Sequence, residues 1–281
     1  MKPLAYLRIL RPFNLVFIAL TVLFGAFFRG QAALSLPVLA AVASAMLIGG
    51  AGYAINDFFD IPIDVVNRPR RVLPSRQMTP RAAYLWSVLL FILGMFASLL
   101  TANWSCVLVA AINSFLLFYY ARTLKRVFLA GNLAVAYSAA STFLFGGLAA
   151  GNTANGLLIA SYAFLYTLMR ELVKDMEDIE GDEQAGAFTL AIRLGLRRTV
   201  GISMVFCLLL VLLSLVSLSS GWLQPGFYIL LALLVVLPLV WFHWYMWRRP
   251  EQSVFARVSH WMKLDMLALL AIMWFAGTPG R

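Results

Sequence analysis

Apolar residues run through this chain in long blocks, broken by short clusters of charge, glycine and proline. A bilayer core about 30 Å thick needs roughly 20 apolar residues in a helix. On that measure the pattern predicts nine membrane-spanning helices, at residues 12–29, 36–56, 82–101, 104–121, 127–149, 155–173, 199–219, 226–247 and 261–277. The third and fourth are parted only by a tight turn at Ala102-Asn103, and the last carries Lys263 and Asp265 near its start. The first span has the look of a signal peptide. Its apolar stretch is too long, however, and no small-residue cleavage site follows, so it is read as a span. No linker or composition break divides the chain, and residues 1–281 are expected to form one all-α membrane domain.

Composition agrees. Of 281 residues, 62% are hydrophobic and 12% charged, against about 45–50% and about 25% in soluble domains. A water-soluble globule and a disordered chain are therefore excluded. A transmembrane β-barrel would show alternating segments of about ten residues, which are absent here. Cys106 and Cys207 both lie inside apolar runs and make neither a disulfide framework nor a zinc site.

The net charge of +10 is distributed by parity. If the N-terminus and the loops after even-numbered spans share one side, every lysine and arginine except Arg29 and Arg281 falls there. The positive-inside rule makes that side cytoplasmic, in a multi-pass cell-membrane protein. All 12 acidic residues fall on the same side, which the rule does not require. No nucleic-acid partner is expected.

Two of the cytoplasmic loops carry the acids in a repeated pattern. The second span runs out into Asn56-Asp57-Phe58-Phe59-Asp60-Ile61-Pro62-Ile63-Asp64, and the sixth into Lys174-Asp175-Met176-Glu177-Asp178-Ile179-Glu180-Gly181-Asp182. Aspartates at 57, 60, 64 and at 175, 178, 182 share gaps of three and four at a constant offset. On a continuing helix such positions lie on one face. Carboxylates gathered in this way repel one another and raise each other's pKa. Mg²⁺ relieves that repulsion, takes oxygen ligands and commonly bridges one or two carboxylates to substrate phosphates. The plainer reading, that the acids only solvate a loop and pair with neighbouring arginines, suits one such motif better than two of identical spacing.

The stretches NDFFDIPIDVVNRPRRVLPS and RELVKDMEDIEGDEQAGAFTLAIRLG resemble the two signatures of the UbiA superfamily of intramembrane prenyltransferases. The resemblance implies nine transmembrane helices around a central cavity open to the cytoplasmic side, and Mg²⁺ held on both motifs against the diphosphate of a polyprenyl donor. Carried over by position, Asn56, Asp57, Asp60, Asp64, Asp175, Asp178 and Asp182 would be metal ligands, with the aspartates other than Asp175 taken as catalytic. Asn14, Asn56, Arg68, Lys125, Arg126, Lys174 and Asp175 would contact substrate, Lys125 and Arg126 foremost. Arg70, Arg71 and Arg76 are read instead as orientation charges beside anionic lipid.

Tyr53, Phe58, Tyr119 and Tyr120 are candidates to face a developing allylic cation, with packing the default for each. His243 and His260, beside Trp244 and Trp261, are expected at the membrane interface. Gly147 and Gly151 are expected to allow close helix approach.

Within the superfamily, the details of both loops are most similar to the branch that adds a second geranylgeranyl group to geranylgeranylglyceryl phosphate. Prenylation of an aromatic quinone precursor or of a tetrapyrrole is the alternative acceptor chemistry. The glycine that the family places after Pro-Ser is here Arg76. A transporter would carry ionisable residues near the bilayer midplane, and the expected spans put none there.

Overall fold

The computed structural model describes residues 3–29, 34–184, 186–220 and 225–277. Among them every regular element is helical: α1 (Pro3–Arg8), α2 (Pro12–Phe27), α3 (Leu36–Phe59), α4 (Ile61–Asn67), α5 (Pro80–Leu99), α6 (Trp104–Arg122), α7 (Ala130–Ala149), α8 (Thr153–Glu177), α9 (Ile179–Gln184), α10 (Leu190–Leu194), α11 (Leu196–Ser219), α12 (Pro225–Leu231), α13 (Leu237–Arg248) and α14 (Gln252–Gly277). Among the described residues eight helices, counting Gly226–Arg248 as one, are long and apolar enough to cross a membrane; α2, with 16 residues, is shorter and also apolar. These correspond in order to the nine expected spans, with α2 shorter than crossing length. A π-helical turn at Ala232–Val236 joins α12 to α13. Pro238 follows it and has no N–H for the carbonyl four residues back, which accounts for the widened turn.

By internal contacts the chain divides into two compact units: Met1–Phe27 with Gln31–Lys125 and Ser141–Leu157, and Phe28–Gly30 with Arg126–Ala140 and Leu158–Arg281. In the first unit α3 is central and packs on α2, α5 and α6. Inside an apolar span a hydroxyl must find its partner within the protein. Ser44 Oγ accordingly donates to the Gly94 carbonyl at 2.8 Å and Ser87 Oγ to the Ala51 carbonyl at 2.9 Å, pinning α3 to α5 from both sides. On α2 and α7, a Cβ at Gly25 would lie 1.9 Å from the Phe143 carbonyl oxygen, and one at Gly146 1.8 Å from that of Val22. Gly147 abuts Gly156 as the close-approach reading expects, whereas Gly151 (φ 71°) instead makes a turn with open space around it.

In the second unit the polar groups of α8, α11, α13 and α14 pair inside the helices' contacts. Tyr162 donates to Ser214 Oγ at 3.1 Å. His243 is buried, with Nδ1 2.7 Å from the Leu239 carbonyl and Nε2 2.8 Å from Ser203 Oγ. A carbonyl only accepts, so Nδ1 carries the proton and Ser203 donates to Nε2. His243 is thus an inter-helix link rather than an interfacial residue; His260 is exposed as expected.

The last span also differs from expectation. It begins at Gln252, nine residues early, which moves Lys263 and Asp265 from the start of a span to the middle of α14. Asp265 is buried, 6% exposed. Tyr166 Oη lies 2.9 Å from Asp265 Oδ2 and 2.7 Å from the Met262 carbonyl. One hydroxyl hydrogen cannot serve both acceptors well, so a second hydrogen from the carboxyl completes the pair. Asp265→Asn, whose amide supplies that hydrogen, is therefore expected to melt close to wild type. Asp265→Ala is expected to cost about 1–3 kcal/mol for the buried hydroxyl contact it removes. Thermal unfolding of both variants in detergent checks this.

Candidate active site

The first acidic motif does not continue as one helix. α3 ends at Phe59, Asp60 (φ −89°, ψ 0°) closes it and opens α4 at once, and Pro62 sits in the first turn of α4. Proline has no N–H for the carbonyl of Phe58, so the chain turns there. Backbone bonds run from Asp60 N–H to the Asn56 carbonyl (2.9 Å) and from Asp64 N–H to the Asp60 carbonyl (2.8 Å).

Around the turn each of the three carboxylates faces a cation, with Asp57 and Asp64 sharing one. Arg71 Nη1 bridges Asp57 Oδ1 (3.2 Å) and Asp64 Oδ2 (2.6 Å). Arg11 Nη2 donates to the same Asp57 oxygen at 2.6 Å. Lys125 Nζ binds Asp60 Oδ1, and Asn56 Nδ2 donates to Asp60 Oδ2 at 2.8 Å. Lys125 comes from the 3₁₀ turn Leu124–Arg126 after α6. Arg11 is held in the left-handed region (φ 55°) between α1 and α2, its guanidinium 4.9 Å over the Tyr53 ring, and Asn14 hydrogen-bonds the Tyr53 hydroxyl. A bulky residue in that backbone region is strained, and such strain collects where geometry serves function.

The second motif breaks at its matching position. α8 ends at Glu177, Asp178 stands between helices, and α9 resumes at Ile179. Asp178 N–H donates to the Lys174 carbonyl (2.8 Å) and Asp182 N–H to the Asp178 carbonyl (2.9 Å), the same two bonds as in the first motif. No proline forces this joint, and Gly181 in α9 meets nothing within 4 Å. The expectation of a continuous helix is thus corrected at both motifs.

Asn132 Nδ2, near the start of α7, donates to Asp175 Oδ2 at 2.9 Å. Burial pushes the Asp182 carboxyl above the usual carboxylate range; the charge of Asp178 adds to this and Lys174 opposes it. Among the described residues Asp178 and Asp182 form no ion pair.

Among the described residues no three acidic or imidazole groups stand ready as a metal cage. The donor chemistry nonetheless fits a hard divalent cation. Asp178 and Asp182 are oxygen donors close enough to repel each other, which Mg²⁺ relieves. The first motif offers the same oxygens, each already facing Arg11, Arg71 or Lys125.

The UbiA prenyltransferase family model matches residues 18–267, across both units and both motifs. The chain belongs to the UbiA prenyltransferase family. A digeranylgeranylglyceryl phosphate synthase of Methanothermobacter thermautotrophicus is 36% identical over 277 residues, 97% of this chain and 95% of that protein. A solved structure described as digeranylgeranylglyceryl phosphate synthase in membranes matches with a TM-score of 0.90 at 28% identity, covering 97% of each chain. A UbiA homologue from Archaeoglobus fulgidus bound to GPP and Mg²⁺ shares the fold with a TM-score of 0.66 at 16% identity, covering 96% of this chain and 99% of that one.

Among the expected UbiA site residues, Asn56, Asp57, Asp60, Asp64 and Lys125 meet at the first motif, with Asn14 reaching it through Tyr53. Lys174, Asp175, Asp178 and Asp182 meet at the second. Arg68 is exposed, its backbone N–H closing α4 on the Asp64 carbonyl. The side chain of Arg126 lies outside the described residues. Arg11 and Arg71 were not among the expected contacts. The left-handed backbone of Arg11 is visible only in the structure, and nothing local singles out Arg71 from Arg68, Arg70 and Arg76.

Arg76, at the position where the resemblance led to an expectation of glycine, has a left-handed backbone at φ 56°. Left-handed geometry costs a side-chain-bearing residue roughly 1–2 kcal/mol. Arg76→Gly is therefore expected to raise thermal stability by up to about 1 kcal/mol, after glycine's greater loss of chain entropy is deducted. Differential scanning fluorimetry checks it.

Proposed function

We propose that this chain is a single-domain, divalent-metal-dependent prenyltransferase that moves a geranylgeranyl group from its diphosphate to the free hydroxyl of geranylgeranylglyceryl phosphate, giving digeranylgeranylglyceryl phosphate. The observation that carries this reading is the near-complete match to synthases of that name, in sequence and in fold, on a chain holding both acidic motifs. The preferred cation is Mg²⁺, as in the Archaeoglobus homologue. The proposed ligands are Asn56, Asp57, Asp60 and Asp64 from the first motif, and Asp175, Asp178 and Asp182 from the second.

When bound, a divalent cation supplies Lewis-acid charge to the diphosphate oxygens. The chain's own cations do related work. Arg11, Arg71 and Lys125 already stand on the first-motif carboxylates. Each is placed to exchange a carboxylate oxygen for a diphosphate oxygen as negative charge builds on the leaving group. The C1–O bond of the donor breaks with its electron pair leaving on diphosphate. The acceptor oxygen bonds to C1, and its proton passes to solvent or diphosphate. The Tyr53 ring already carries the Arg11 guanidinium on one face, and so helps hold that cation against Asp57. Apolar walls from the spans keep water from capturing the allylic cation. The side from which substrate enters is inferred from charge: the basic loops make it cytoplasmic, with the N-terminus on the same side.

The test is a parallel assay of purified protein with radiolabelled geranylgeranyl diphosphate against geranylgeranylglyceryl phosphate, an aromatic quinone precursor and a tetrapyrrole. Label is expected in the glycerol phosphate ether. Label only in an aromatic or tetrapyrrole product would reject the acceptor, and no transfer to any acceptor would reject the enzyme reading.

A further inference from the structure

Arg170 lies in the spanning part of α8, five residues or about 7.5 Å before Asp175 along the helix axis. It shares a helix face with Tyr166 and Lys174, four residues to either side, while Asp175 is turned about 140° away. Its side chain is only 20% exposed. Nη1 donates to Glu171 Oε1 at 3.0 Å, and Nε is buried with no hydrogen-bond partner. The same Glu171 carboxylate stands 3.9 Å from Lys174 Nζ. Arg170 and Lys174 therefore share the Glu171 carboxylate, Lys174 also faces Asp182, and Arg170 keeps an unused donor. A buried donor left unpaired costs about 1–3 kcal/mol, and more on a charged group. Glu171 and Tyr166 do not satisfy it: the first reaches the other end of the guanidinium and the second is held by Asp265 and the Met262 carbonyl.

A guanidinium edge with a free Nε–H is the fork that takes a phosphate through two parallel bonds. Lys174 links this face to the second motif, since its charge acts on Asp182. The face thus adjoins the expected diphosphate ligands without sharing the direction of Asp175. We propose that Arg170, with Lys174, binds the phosphate monoester of the acceptor and so selects a phosphate-bearing lipid alcohol over aromatic and tetrapyrrole acceptors. This rests on the acceptor assigned above. The donor diphosphate offers the same chemistry, and the experiment separates the two.

Full-length wild type, Arg170→Gln and Arg170→Lys are compared in detergent with radiolabelled geranylgeranyl diphosphate. The acceptors are geranylgeranylglyceryl phosphate and the same lipid lacking its phosphate. Arg170→Gln is expected to raise the KM for the phosphorylated acceptor about 10- to 100-fold, the worth of one or two charge-assisted hydrogen bonds. The donor KM and use of the dephosphorylated acceptor are expected to stay near wild type. Arg170→Lys should recover part of the loss, since it keeps the charge without the fork. Equal loss with both acceptors would mark Arg170 as merely structural, and a raised donor KM alone would assign it to the diphosphate; either result overturns the proposal. If wild type transfers nothing to the phosphorylated acceptor, the functional reading falls. Arg170 is then judged by binding of the labelled acceptor without donor or metal: weaker binding to Arg170→Gln by the same factor supports it, and equal binding overturns it.

Discussion

Asp60→Ala and Asp178→Ala are each expected to lower prenyl transfer by at least about 10³-fold while the chain still folds, because each removes charge stabilisation at the point where the leaving group becomes anionic. The two residues occupy equivalent joints, one closing α3 and the other following α8. Asp178 is exposed, so its loss touches stability little. Asp60 carries Lys125 and Asn56, and its removal is expected to cost about 1–3 kcal/mol. That is below the roughly 5–15 kcal/mol by which folded domains are stable. Gel filtration and thermal melts confirm folding, and labelled-donor turnover gives the activity. Wild-type rates from either purified variant would remove these aspartates from the chemistry. Asp60→Asn keeps the size but loses the charge and one of the two oxygens that accept from Lys125 and Asn56, and is expected to be as inactive as the alanine variant.

Chelation is expected to have an effect of the same order. Excess EDTA should abolish transfer and added Mg²⁺ restore it, whereas full activity in EDTA would take metal out of the mechanism. The requirement should also depend on pH in a defined direction. Asp182 titrates above the ordinary carboxylate range because it is buried beside Asp178. A raised carboxyl favours its neutral form in the folded chain: that stabilisation is complete below the unfolded pKa and is lost as pH rises through the folded one. A metal needs the ionised form, so protons compete with it. Half-saturating Mg²⁺ is therefore expected to rise as pH is lowered toward the range in which Asp182 protonates. In Asp182→Asn this pH dependence should shrink. Mg²⁺ titrations at several pH values, read by turnover and by Mn²⁺ displacement in spin resonance, test both points.

The matching acid spacing of the two motifs was legible in the chain because residue spacing is a local property. The joints were only half legible. Pro62 announces the turn at Asp60, whereas the matching turn at Asp178 has no proline and follows a run that any helical period would continue. The cations show the limit more sharply. Arg68, Arg70, Arg71 and Arg76 crowd one loop, and which of them reaches Asp57 and Asp64 depends on how that loop folds back. Lys125 was anticipated from family resemblance, yet its partner Asp60 is 65 positions away and no local pattern names it.

The sequence alone determined the order of the apolar helices found among the described residues, eight of crossing length and α2 shorter, and put two oxygen-rich motifs of equal spacing at the ends of two of them. The one-sided gathering of basic loops is an expectation from charge counting. A bilayer demands length and hydrophobicity of each span separately, and orientation counts charges, so neither needs knowledge of a partner. Tertiary structure alone decided that Arg11, 46 positions from Asp57, holds its carboxylate, that Asn132 supports Asp175, and that His243 and Asp265 are buried links between helices. Those are pairings between distant segments inside an apolar medium, where each polar group must take whichever donor or acceptor packing brings to it.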